Sequence, residues 1–262
     1  MTKRILHVVS NVAHYDDPSH PTGLWLSELT HAWHVFEKHG YEQHLVSPKG
    51  GLSPLEPRSL KFPNYDKTAK TWHADAAKMD LLANTASPDD INSADYDAIY
   101  YTGGHAVMYD FPDSPGLQRI TREIYENGGV VSSVCHGYCG LLNVTLSDGS
   151  LLVKGRELTG FAWTEEVVSR VDKLVPYNVE DAMKERGGIV ARTDHAVRIR
   201  DSSRDKRDAA ERVFSRVSTV LIVRLSISVP RGSAGIFRGS AWNLSALTLG
   251  GSGERPQMTT GQ

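Results

Sequence analysis

A chain of 262 residues, 40% apolar and 23% charged, has the balance of an ordinary globular protein and the length of one large domain or one domain with an appendage. Its net charge of −2 gives no reason to expect nucleic acid or an anionic membrane as a partner, and no apolar run reaches the ~18 residues of a membrane span. Two cysteines, Cys135 and Cys139, stand four apart with no export signal at Met1, which predicts a reducing cytoplasm.

In chain order, Arg4 to Val9 predicts a first strand and Ser10 to Pro21 a long polar loop. A helix is expected from about Thr22 to His39, closed by Gly40, with Trp25, Leu29, Ala32, Trp33 and Phe36 as its apolar stripe. Glu28 falls on that stripe, where a carboxylate is costly unless protonated or paired. Tyr41 to Ser47 reads as a second strand. The proline-bearing stretch 48–70 is too long for a plain connector and is a candidate cover for a site.

A helix near Thr71–Asn84 follows, then the strand Ala98–Tyr101, which runs into Thr102-Gly103-Gly104-His105. Glycines just past a parallel strand let backbone N–H groups approach a ligand. Pro115 opens a helix that extends to Asn127. Ser150–Val153 and Leu158–Phe161 flank Lys154-Gly155-Arg156, the pattern of a hairpin. Short helices are expected from Thr164-Glu165-Glu166 and over Val179–Arg186. This alternation predicts an α/β fold: a doubly wound parallel sheet with helices on both faces.

The most informative stretch is Val130 to Leu142. A β-branched strand entered through Gly128-Gly129 stops at Cys135; Gly137 and a short apolar helix follow. Strand, nucleophile, x, Gly, helix outlines a nucleophile elbow. Such a turn sets the sulfur at a helix N-terminus, which favours a thiolate. His136 offers both a base and a backbone oxyanion donor. The plain alternative is a buried structural cysteine, the better reading for Cys139. Zinc held by Cys135, His136 and Cys139 fits no closed four-ligand spacing.

The motifs Thr22-Gly23…Glu28, Gly103-Gly104-His105, Val134-Cys135-His136-Gly137 and Thr159-Gly160-Phe161…Glu166, in this order, resemble the ThiJ/PfpI superfamily. Within it they are most similar to the chaperone-like branch of glutathione-independent glyoxalases (glyoxalase III). The resemblance implies a flavodoxin-like fold over residues 1–188 and a catalytic set of Cys135, His136, Glu166 and Glu28. Glu165 remains open as the partner of His136. The resemblance also implies an oxyanion and substrate side formed by Gly104, His105 and His136. No metal and no cofactor are expected; the partner is a small 2-oxoaldehyde, and the assembly a homodimer.

The implied chemistry is addition of Cys135 to methylglyoxal, a proton shift through an enediolate, and thioester hydrolysis to lactate. Glu28, protonated by burial, would donate to the sulfur. The competing reading is a non-enzymatic holdase or a cysteine redox sensor. A class I glutamine amidotransferase would carry a late His-x-Glu, and His195 has no such neighbour.

Residues 189–262 differ in character. They carry 11 Arg and 1 Lys against 6 acids, a net +6, whereas residues 1–188 sum to −8. The family's closing strand, hairpin and helix are not recognisable there. A shifted reading frame or a lineage-specific extension would each produce such a segment. It is expected to pack poorly, to expose apolar residues around Leu221–Val229, and to be cut first between Asp201 and Arg216.

Overall fold

The computed structural model describes residues 2–191 and the backbone of Val220–Val223. Four parallel strands are built from the buried apolar runs: β1 (Arg4–Val8), β2 (Glu42–Val46), β3 (Ala98–Tyr101) and β4 (Val130–Val134). They lie in the order β2-β1-β3-β4. The register pairs Val8 with Tyr101 and Tyr101 with Ser133, so the strands end together at one edge. That carboxyl edge is where an open parallel sheet presents its ligands.

Helices cover both faces. Leu6, Val8, Ile99, Tyr101 and Val131 face a core shared with α4 (Val107–Asp110) and α5 (Pro115–Glu126). On the other face α1 (Leu26–Lys38) packs with α2 (Lys67–Ala74) and α3 (Ala76–Ala83). Here Trp33 and Trp72 meet edge to face at 5.0 Å, and the Lys78 ammonium lies 4.8 and 5.0 Å from their ring centres. Later come α6 (Trp163–Val168) and α7 (Val179–Glu185). The pair β5 (Glu157–Leu158) and β6 (Ile189–Val190) forms a small parallel ladder. A last strand, β7 (Val220–Val223), runs antiparallel to β4.

Three expectations are corrected. The first helix begins at Leu26 rather than Thr22. Leu24 N–H donates to Pro54 O, and Trp25 N–H to Gly103 O, so this segment pairs with the neighbouring chain instead of winding. The helix expected over 71–84 is two helices, and it starts earlier. Asp66 caps α2 through Ala69 N–H, while Asp75 ends α2 and caps α3 through the Ala77 and Lys78 N–H groups. A side chain that bonds the next turn's free N–H groups starts a helix more readily than it continues one. The hairpin over 150–161 is absent: Glu157–Leu158 pairs with Ile189–Val190 instead.

Among the described residues no helix is long and apolar enough to cross a membrane. His195, the expected cleavage region Asp201–Arg216 and the apolar positions Leu225, Ile227 and Val229 lie outside the described residues. For Leu221 and Val223 only the backbone is described.

Candidate active site

The elbow forms where β4 ends. Cys135 adopts φ 53°, a left-handed conformation uncommon for a residue with a side chain. From it Cys135–Leu141 winds as a tight 3-10 helix, and the Cys135 carbonyl accepts from Phe161 N–H at 3.1 Å. The turn can pack this closely on β3 because residue 137 is glycine: a Cβ there would collide with the Tyr101 and Thr102 carbonyls.

Three other segments converge on the elbow. The chain after β3 presents Gly103 and Gly104, and the N–H groups of Gly104 and His136 point at Cys135. From α1 comes Glu28, 8% exposed, with its carboxyl against Cys135 and the Gly103 N–H. A Cβ at Gly103 would lie 2.5 Å from Glu28 Oε2 and 2.8 Å from the Cys135 Cβ, so only glycine leaves room for that pair. Glu166 comes from α6, and His105 from the turn after Gly104.

These side chains form one continuous polar chain. The Cys135 Sγ lies 3.2 Å from His136 Nδ1, and His136 Nε2 lies 2.5 Å from Glu166 Oε1. The other oxygen, Oε2, is 3.2 Å from His105 Nε2. Glu166 therefore bridges two buried histidines. Glu165, by contrast, accepts from Ala162 N–H at 2.7 Å and caps its own helix. It is Glu166 that meets His136.

The two carboxyls of the cluster, Glu28 against the sulfur and Glu166 one imidazole away, take different charge states because their surroundings differ. Burial raises Glu28 to about 7, against smaller opposing effects of its bonds to Cys135 and Gly103. Burial also acts upward on Glu166, but the donors from His105 and His136 outweigh it and hold that carboxylate at about 2. His136 is lowered to about 4, chiefly by burial, and is neutral near pH 7.

The sulfur departs from the sequence expectation of a readily formed thiolate. Burial pushes the Cys135 thiol well above its ordinary range, and an ionised Glu28 adds to this; the His136 and Gly104 N–H groups pull the other way. A 3-10 helix of seven residues is too short an electrostatic source to reverse the balance. Cys135 keeps some exposure to the cleft, which tempers the push. Below about pH 7 both Glu28 and Cys135 are therefore protonated, and above it the pair keeps the one proton held chiefly by the thiol.

The cleft above the sulfur encloses about 570 Å³ and is lined by Trp25, His31, Arg58, Asp66, His105 and Phe161 among others. Stretch 48–70 does cover the site, through Arg58 and the segment Pro63–Asp66. Sequence reasoning missed Arg58 and Tyr15, which reach the cluster from the two irregular loops. The only signals were opposite charges at Glu56 and Arg58, and a lone aromatic in the polar loop.

Among the described residues, His105, His136 and Glu166 form the one group of three whose donor atoms lie within 4.8 Å of one another. The Arg58 guanidinium stands 3.1 Å from His105 Nδ1, and that fixed cation opposes a dication at the same place. Cys139 is wholly buried in the core rather than directed to this cluster.

Fold and cluster together define an α/β protein with a cysteine at a strand-to-helix elbow, and residues 22–189 match the DJ-1/PfpI family: the chain belongs to it. Among its relatives is the glutathione-independent glyoxalase of Saccharomyces cerevisiae, 33% identical over 174 residues, which is 63% of this chain and 73% of the relative. Glyoxalase 3 of Candida albicans is 33% identical over 165 residues, 62% of this chain and 69% of that one. The crystal structure of Candida albicans glyoxalase III superposes with a TM-score of 0.65 at 25% identity, over 73% of this chain and 83% of that chain. The Rapid Encystment Protein of Francisella tularensis gives 0.70 at 32% identity, over 74% and 85%.

Proposed function

We propose that this chain is a glutathione-independent glyoxalase that converts a small 2-oxoaldehyde to the corresponding 2-hydroxy acid, with Cys135 as nucleophile. The observation that carries the reading is the unbroken contact from Cys135 Sγ through His136 to Glu166, at 3.2 and 2.5 Å, beneath an open cleft. The glyoxalase relatives support the choice of substrate class.

His136 Nδ1 takes the thiol proton as sulfur attacks C1 of R–CO–CHO. The resulting oxyanion is held by the Gly104 and His136 N–H groups, each such donor worth about 3–4 kcal/mol. Protonation of that oxygen gives a hemithioacetal. Glu28, poised near neutrality, removes the hydrogen from C1 as a proton and returns one to C2 through an enediol. C1 is oxidised to a thioester and C2 reduced to an alcohol, so no external redox partner is needed. Water, deprotonated by His136, then cleaves the thioester and restores the thiol. The net change is addition of one water to the 2-oxoaldehyde.

Purified protein given methylglyoxal and no thiol should form lactate. Cys135→Ala should abolish this with an unchanged far-UV spectrum, and Cys139→Ala should retain most of it. Turnover by Cys135→Ala would overturn the reading.

A further inference from the structure

Arg58 lies outside the set that touches sulfur, yet its contacts determine where protons sit in that set. Its guanidinium is clamped by the buried Glu56: Nε to Oε1 and Nη2 to Oε2, both at 2.9 Å. Glu56 also accepts from Thr22 Oγ1 at 2.9 Å, which ties the stretch after residue 48 to the chain entering α1. Beyond this clamp, Arg58 Nη2 lies 2.7 Å from the Tyr15 hydroxyl and 3.1 Å from His105 Nδ1. Tyr15 OH and His105 Nδ1 are themselves hydrogen-bonded.

One arrangement satisfies every donor. A guanidinium only donates, and the two Nη2 hydrogens serve Glu56 Oε2 and Tyr15 OH. Tyr15 then has its own hydrogen to give to His105 Nδ1. Beside the guanidinium, Nδ1 acts as the acceptor of that hydrogen, and the His105 proton sits on Nε2. From there it donates to Glu166 Oε2 at 3.2 Å. With that oxygen engaged, Oε1 is turned to His136 Nε2–H, and the His136 Nδ1 lone pair faces the sulfur.

We propose that Arg58, acting through Tyr15 and His105, is a positioning residue that orients Glu166 and fixes the His136 tautomer able to accept the Cys135 proton. The idea rests on the nucleophilic role given to Cys135 above. Without the Arg58 fork, Tyr15 can accept from His105 Nδ1–H, and His105 then turns a bare Nε2 toward the Glu166 carboxylate. Glu166 would shift away, and the base would lose its orientation.

The test is the imidazole ¹⁵N spectrum of the wild type and Arg58→Gln, with lactate kinetics and the rate of Cys135 alkylation against pH. Wild type should show His105 and His136 as Nε2–H tautomers. In Arg58→Gln, His105 should gain Nδ1–H population, kcat should fall roughly ten- to a hundredfold with little change in KM, and the alkylation profile should move. Unchanged tautomers would overturn the proposal, as would altered tautomers with unchanged kcat and alkylation. A raised KM with wild-type spectra would make Arg58 a substrate-binding group instead, and also overturns it.

If Arg58→Gln does not fold, Arg58→Lys keeps a cation for buried Glu56. One ammonium cannot span Glu56, Tyr15 and His105 as the fork does. The same changes in smaller measure are expected from it, and wild-type spectra would count against the proposal equally. A wild type that makes no lactate would sink the glyoxalase reading, while the spectra and alkylation would still decide the role of Arg58.

Discussion

Glu28 lies against the sulfur and Glu166 is joined to it through His136, and the difference between their charge states lies in their donors. Glu166 receives two imidazole N–H groups, whereas Glu28 Oε2 has no conventional partner among the described residues. The folded state therefore holds a proton on Glu28 up to about 7 that the unfolded chain releases near 4.5. Its contribution to stability is present below pH 4.5 and is lost as pH rises through 7, an effect on the order of 3 kcal/mol. Glu28→Gln should flatten this part of the profile, measured by urea unfolding at pH 5 and pH 7.5. The same substitution removes the negative charge that holds the Cys135 thiol up. Alkylation of Cys135 near pH 8 should then accelerate, although burial still holds the thiol up, while lactate formation falls. Slower alkylation in this variant would show that the carboxyl supports the thiolate rather than opposing it.

At the level of elements, the elbow depends on the close seating of the 3-10 helix over β3. Gly137→Ala would drive a methyl into the Tyr101 and Thr102 carbonyls, an overpacking that typically costs about 1–3 kcal/mol. The expected result is a melting temperature lower by several degrees and a displaced, poorly active sulfur, checked by calorimetry and the lactate assay together. The four parallel strands and α5 were legible because their cues are local: β-branched runs, glycine boundaries, and Pro115 at the first helical position. Cys135, His136 and Glu28 were readable for a related reason: each has a position defined by a strand end or a helix face. Glu166 was reached only through the family resemblance, with Glu165 left open beside it. The start of α1 was not, because Leu24 and Trp25 are held by Pro54 and Gly103, distant in sequence. Arg58 and Tyr15 lie in loops whose course depends on contacts that no periodicity encodes. The thiol's upward shift was hidden as well, since it follows from burial by parts of the chain that meet only in three dimensions.

For the molecule as a whole, β4 is the critical strand, for it carries the sulfur at its end and would be the sheet's edge without β7. Val220–Val223 pairs along Val131–Val134 in antiparallel register, beyond the end of the family match at residue 189. An uncovered β4 would offer its backbone groups to another chain. Replacing both Leu221 and Ile222 by proline removes at least one N–H directed at β4. This change should lower thermal stability and promote self-association, seen by light scattering during a melt. If scattering and melting temperature stay at wild-type values, β7 contributes nothing to the sheet.

The aromatic contact between α1 and α2 has an optical consequence. Trp33 and Trp72 form a solvent-shielded pair under the Lys78 cation, while Trp25 lines the cleft beside the sulfur. Excitation near 295 nm therefore reports on both places, together with the two remaining tryptophans, Trp163 and Trp242. The shielded pair emits toward the blue and shifts red when the helix carrying Glu28 lifts from its neighbours. Trp25 responds to whatever enters the cleft. The protein carries its own fluorophores for following occupancy and helix docking, without a label at either cysteine.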